Sequence, residues 1–475
     1  MKYSKGDFNY IQSSSKIAQR LIRFCKFTAI KKRLYEHKIK LTILPVLLVW
    51  YAFCLPSTLF KVPYATVIES SDGRLLDAHI ARDDQWRFPA VDSVPYRYKQ
   101  CLLQYEDAHF YEHPGFNPVS IVHAIKNNVK AGRVVRGGST ITQQVIRLSR
   151  NLPAGKTGRN RGYFEKFIEL IWATRLELRS SKEDIIKLYA SHAPYGGNVV
   201  GLDMASWRYF GRRPHELSWS ESATLAVLPN APGLVYLGKR ENELKAKRNA
   251  LLAKLNNEGI ITAMEYELAL SEDVPASDFS VPQLAPHLLQ RAHKEYGAQK
   301  IATTIDYELQ ATVNRIVTSH HKTLSGNGVN NLAMLVLDVH TNSVAAYVGN
   351  APTTVEHSKD VDIITAPRST GSMLKPFLYA SMLDNGELLP HSLVPDIPTA
   401  VNGFTTENYD RTYDGAVSAS RALSQSLNVP AVRMLQEHGV PRFYNTLRSL
   451  KLSQVNRGAS TYGLSLIIGG AESSL

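Results

Sequence analysis

The sequence predicts a multidomain protein: an N-terminal transmembrane helix, then a mostly α domain, then an α/β domain. Three observations predict it. Leu41 to Phe60 runs for 20 residues without a charge, about the length of helix that spans a bilayer. From Val62 to Gly238 the pattern is helical and broken by glycine corners. From Ile301 a strand pair follows, Ala333–Val339 and Ser343–Val348, joined by a polar His340-Thr341-Asn342 turn.

The basic charge is concentrated before the apolar stretch. Residues 1–40 hold eleven Lys or Arg against Asp7 and Glu36, which is +9 of the formal +13, leaving +4 for the rest. The basic balance therefore belongs to one arm, and no nucleic-acid groove is expected. Lys38 and Lys40 place that arm in the cytoplasm and everything after Lys61 outside. A cleaved signal peptide fits less well, because the segment before the apolar run is too long. Cys25, Cys54 and Cys101 provide no internal disulfide framework. The expected boundaries are 1–40 for the arm, 41–60 for the anchor, 61–238 for the helical domain, 239–300 for a charged helical connector and 301–475 for the last domain.

Within the helical block, Glu106, Phe110 and His113 are spaced to share one helical face, which Pro114-Gly115 should end. Asn117 and Pro118 open the next helix, and Gly132 closes it. Gly137-Gly138 then permits close backbone approach, and Ser139 or Thr140 caps a helix whose positive end favours an anion. Locally, an ordinary capped helix after a glycine turn fits the same residues. His109 and His113 read as hydrogen-bonded structural groups, since no further His follows at metal spacing. Glu169 lies among apolar residues, where a carboxylate needs a partner or a shifted pKa. Ser181 to Asp184 reads as a capping box.

Four segments in order, Glu106-to-Phe116, Gly137-to-Gln144, Lys166-to-Glu169 and Ile185-to-Gly197, resemble the glycosyltransferase domain of class A penicillin-binding proteins. The segment Glu221-to-Pro229 fits as well. The resemblance implies a lysozyme-like domain that polymerises lipid II into glycan strands with inversion. It implies that Glu106 is the general base and Glu169 the second carboxylate. Glu169 would lie near the donor diphosphate, through a divalent cation such as Mg or Mn. Ser139, Thr140, Gln143, Arg147, Arg161 and Lys166 match positions lining the diphosphate. A departing diphosphate gains negative charge, which preorganised N–H groups and cations stabilise. Glu165, Ile168, Lys187 and Ser191 depart from the commoner family residues, which bears on donor affinity.

In the third block, Ser372-Met373-Leu374-Lys375 places an amine three residues after a hydroxyl, within reach on a helix. A serine needs such a base, and a lysine can act as one only with a lowered pKa. Ser426-Leu427-Asn428 follows, and together the motifs resemble the transpeptidase domain of the same family. That implies acylation of Ser372 by peptide stems or β-lactams, assisted by Lys375, Ser426 and Asn428. The family's Lys-Thr-Gly strand motif does not follow Asn428, and Lys156-Thr157-Gly158 lies in the wrong block. The expectation is thus an incomplete transpeptidase domain, inactive, on a C-terminally truncated chain.

The implied setting is the bacterial cytoplasmic membrane, single-pass, with the catalytic domains outside. The implied partners are lipid II, the growing glycan and other cell-wall synthesis proteins. Two other readings share these residues. A lysozyme-like hydrolase would use a catalytic Glu without the Gly-Gly cradle, and a non-catalytic assembly protein would need neither carboxylate.

Overall fold

The computed structural model describes residues 45–119, 122, 138–150, 163–230, 240–275, 278–401, 403–452 and 454–474. The chain forms two compact units. One comprises residues through Ala65 and Ile80–Val281; the other comprises Thr66–His79 and Pro282–Leu475. This division differs from the boundaries expected from sequence at both ends. Residues 66–79 form a hairpin, β1 (Thr66–Glu69) with β2 (Leu75–His79), inside what reads as the first domain. Yet β1 also pairs in parallel with β6 (Lys300–Ala302), so hydrogen bonding draws the hairpin into the second unit. Most of the expected connector, residues 239–281, instead belongs to the first unit.

The first unit begins with a helix, α1, at residues 45–53. It presents Val46, Leu47, Leu48, Val49, Trp50 and Phe53 to solvent. The expected single helix over 41–60 is not what forms. Among the described residues the helix stops at 53, ahead of Pro56, whose ring and missing N–H oppose a continued helix. No described helix is long and apolar enough to cross a membrane. The basic arm and residues 41–44 lie outside the described residues.

The core of this unit is helical. It contains α2 (Tyr96–Glu106), α3 (Ile141–Ser149), α4 (Tyr163–Arg179), α5 (Lys182–His192), α6 (Leu202–Phe210), α7 (Trp219–Val227), α8 (Glu241–Asn257) and α9 (Ala263–Ser271). A small sheet orders β3 (Trp86–Arg87), β5 (Val199–Val200) and β4 (Pro194–Gly196). Capping boxes start α3, α5, α7 and α9, each satisfying two of the free N–H groups at a helix start. Ser181 with Asp184 is the one expected from sequence.

The second unit is α/β. The expected hairpin forms as β7 (Met334–Asp338) and β8 (Ser343–Val348), with Asn342 at φ 52° in its turn. Helix α10 (Pro286–Tyr296) packs near β1 and β2, and α11 (Tyr307–Ser325) covers β8. Buried Gln310 on α11 makes this docking specific. It accepts from Tyr347 N at 2.8 Å and donates to Tyr347 O at 3.0 Å. A second core lies around α12 (Lys375–Asp384), α13 (Ala419–Ser424), α14 (Asn428–His438) and α15 (Val440–Ser449), with Leu378, Val432, Leu435, Phe443 and Leu447 buried. The remaining strands form two-stranded ribbons: β9 (Arg368–Ser369) with β14 (Glu472–Ser473), β10 (Leu393–Asp396) with β13 (Gly415–Ser418), and β11 (Thr399–Val401) with β12 (Phe404–Thr406).

Candidate active sites

Glu106 is the last residue of α2, which buries Tyr98, Cys101, Leu102 and Leu103 on its other face. The helix ends there, so Glu106, Phe110 and His113 do not share one helical face as expected. Phe110–Glu112 is instead a single 3₁₀ turn, and His113 is extended. Asp107 causes the break. Its carboxylate turns away to accept from Ile141 N at 3.2 Å and from His113 Nε2 at 3.0 Å. His113 Nδ1 accepts from Gly115 N at 3.3 Å, which puts the ring proton on Nε2. The structural reading of His113 therefore holds.

The helix start expected to hold an external anion is already occupied. Asp107 supplies a buried carboxylate at the first N–H of α3. Thr140 and Gln143 are also engaged. Thr140 Oγ1 accepts from Gln143 N at 3.2 Å and donates to Gly115 O at 2.7 Å, while Gln143 Oε1 accepts from Thr140 N at 3.1 Å. Both side chains are buried, and in this structure they build the helix start.

The other face of α3 meets both buried carboxylates. Gln144 Nε2 donates to Glu106 Oε2 at 2.6 Å. Three residues on, Arg147 Nε lies 3.7 Å from Glu169 Oε1, and Arg147 Nη2 donates to Ser139 Oγ at 3.2 Å. Residues three apart on a helix project together, so one turn of α3 serves both carboxylates. Burial pushes the Glu106 carboxyl up to about 7, against the opposing pull of Gln144 and Arg147. Glu169 is 3% exposed, and its Oε1 accepts no hydrogen bond among the described residues. Lys166 is exposed one turn before Glu169 on α4. Arg161, Gly137 and Lys156-Thr157-Gly158 lie outside the described residues.

Among the described residues no group of three or more His, Cys, Asp or Glu converges as a metal site. Magnesium commonly binds through one or two carboxylates plus substrate phosphates, and the buried, hydrogen-bond-free Oε1 of Glu169 fits that limited role.

In the second unit, Lys375 opens α12 and is 3% exposed. Its Nζ donates to Ser426 O at 2.6 Å, Ser426 Oγ at 3.2 Å and Asn428 Oδ1 at 2.8 Å. Burial lowers this amine to about 8. Ser426 sits at φ 54°, a costly backbone state for a residue with a Cβ, and that state turns its carbonyl and hydroxyl to the amine. Ser372 does not sit on the helix with Lys375. It is exposed in the turn before α12, where its carbonyl accepts from Lys375 N at 3.2 Å, while none of the described hydrogen bonds joins its hydroxyl to the Lys375 amine. The structure thus joins the Lys375 amine to Ser426 and Asn428, with Ser372 one turn before Lys375 and linked to it through the backbone.

Two supporting residues were missed from sequence. Asn408 accepts from Asn428 N at 3.1 Å and Val429 N at 3.2 Å, starting α14. Asp107 carried a signal in being next to Glu106, but its partners lie 6 and 34 residues away.

Residues 72–256 match the transglycosylase family, and residues 332–465 match the penicillin binding protein transpeptidase domain. Penicillin-binding protein 1C of Escherichia coli (strain K12) is 35% identical over 427 residues, covering 88% of this chain and 54% of that protein. The chain belongs to the class A penicillin-binding proteins. Penicillin-binding protein 1F of Bacillus subtilis (strain 168) is 28% identical over 403 residues, covering 81% of this chain and 54% of that relative. The chain thus spans about half the length of these curated relatives. A solved structure of penicillin-binding protein 1A from Haemophilus influenzae covers 87% of this chain and 67% of that one at 17% identity, with a TM-score of 0.39, too low to bear on the fold. The order expected of a class A member, helical glycosyltransferase unit then α/β transpeptidase unit, is the order found.

Proposed function

We propose that the helical unit is a peptidoglycan glycosyltransferase that extends glycan strands from lipid II. Glu106 takes the proton from the acceptor sugar's 4-hydroxyl as that oxygen bonds to the donor's anomeric carbon. The bond from that carbon to the lipid diphosphate breaks on the opposite face, inverting the centre. Arg147, Ser139, Lys166 and Arg161 meet the departing charge, and Glu169 holds Arg147. A divalent cation bound by Glu169 would neutralise part of the diphosphate. The observation that carries this reading is a buried carboxyl raised to about 7 and held by Gln144, one turn of α3 before an arginine 3.7 Å from a second buried carboxylate. A base is most effective when its pKa lies near the working pH.

Residues 41–60 serve as the membrane anchor in this reading, supported by the exposed apolar face of α1 and the basic arm before it. We read the second unit as a penicillin-binding fold without cross-linking turnover, because none of the described hydrogen bonds joins the Lys375 amine to the Ser372 hydroxyl.

The test is incubation of the full chain with lipid II. Polymer should form, and Glu106→Gln should slow it by ~10²–10⁴-fold, the usual size of general-base help. Shortening of preformed glycan with no polymer growth would replace this reading with the hydrolase. Full activity of Glu106→Gln in cell-wall complementation would replace it with the assembly protein.

A further inference from the structure

We propose that Arg175 and Arg179 are positioning residues that lock the end of α1 onto α4 and so set the height of Glu169 above the bilayer. The proposal rests on the glycosyltransferase and anchor reading above.

Pro56 has no N–H, so the carbonyl of Ala52, four residues earlier, has no helical donor. The last carbonyls of any helix need outside partners. Here α4 supplies them. Arg175 Nε and Nη2 donate to Ala52 O at 3.2 and 3.0 Å. Arg179 Nη1 donates to Pro56 O at 2.5 Å, and its Nη2 donates to Ser57 O. Tyr51 OH donates to Thr174 Oγ1 at 3.0 Å. The fixed fork of a guanidinium suits adjacent carbonyls, and its charge suits the negative end of a helix. The pairs run in the same order, 51 with 174, 52 with 175 and 56 with 179, so the two segments lie side by side in one direction.

Glu169 lies six residues before Arg175 on α4, roughly 9 Å along the helix. A one-turn slip at the clamp would move it by about 5.4 Å relative to the anchor. Misplacement of about 1 Å can already cost ~10²-fold in rate. Only a donor held in the bilayer senses this height; a soluble donor finds Glu169 wherever the unit floats.

The full chain is therefore assayed in phosphatidylethanolamine–phosphatidylglycerol vesicles with a long-chain lipid-linked disaccharide donor, and in solution with a short-chain, water-soluble donor. For Arg175→Ala/Arg179→Ala, kcat/KM should fall ~10-fold or more on the bilayer donor and stay within about 2-fold on the soluble one. A Lys pair should recover part of the loss, since each amine can serve one carbonyl. Equal loss on both donors would mean general damage to the unit, and no loss on either would mean the clamp is idle; both overturn the proposal. A wild-type chain that polymerises neither donor overturns the glycosyltransferase reading itself.

Discussion

Glu106 sits between two opposing effects. Burial favours its neutral form, while Gln144 and Arg147 favour the carboxylate. As the proposed base it must be ionised, so activity should be high above about pH 7 and fall as pH drops through that value. Replacing Gln144 with Ala removes a stabilising donor to the carboxylate. The acid limb of the kcat/KM profile should then move to higher pH, while the plateau above pH 8 changes less. An acid limb that moves to lower pH would show that Gln144 does not stabilise the charged form. Burial favours the neutral amine of Lys375, but that amine is directed at Ser426 and Asn428. Fluorescent penicillin should accordingly label Ser372 weakly; strong labelling lost in Ser372→Ala would show that the nucleophile and its base meet after all. The residue types at both sites were legible in the sequence. Their partners were not, because Gln144 reaches Glu106 across 38 residues and Ser426 meets Lys375 across 51.

Individual elements show why some expectations failed. The helix drawn from Glu106 to His113 obeyed side-chain spacing, yet a backbone break at Asp107 redirected it. That break is set by contacts with Ile141 and His113, which no local pattern encodes. Gly115 is a different case, legible as a corner but not for its strictest requirement. Its φ is 94°, and a Cβ there would lie 2.8 Å from the Ala173 carbonyl on α4. Gly115→Ala should therefore combine backbone strain with overpacking against a rigid helix, costing on the order of 2–4 kcal/mol. Thermal unfolding of the full chain checks this, and a change under about 0.5 kcal/mol would refute the tight contact. Glu177, near the same corner, accepts from Thr142 Oγ1 at 2.5 Å and Lys182 Nζ at 2.9 Å, tying α3 and α5 to α4. The capping box at Ser181 was readable because its partners lie three residues apart.

At the scale of the whole molecule, the hairpin at residues 66–79 follows the apolar stretch but belongs to the second unit's sheet. Ile68 and Leu76 join Ala285, Leu289, Ile305 and Tyr347 in one buried cluster. A piece comprising residues 301–475 alone lacks those strands and α10, so what remains of β6 loses its partner and Ile305 and Tyr347 lose their cover. That piece should aggregate, and residues 66–79 fused ahead of 282–475 should give soluble, cooperatively unfolding protein. Equal solubility of the two would refute the pairing. The sequence by itself determined the apolar stretch, the two sets of motifs, the β7–β8 hairpin and the family, because each is written within a few residues or in fixed spacing. Tertiary structure alone decided where the hairpin pairs, which anion fills the start of α3, and which side chains steady Glu106, Glu169 and Lys375. Those outcomes depend on burial and on hydrogen bonds between residues far apart in the chain, whose energies no local pattern contains.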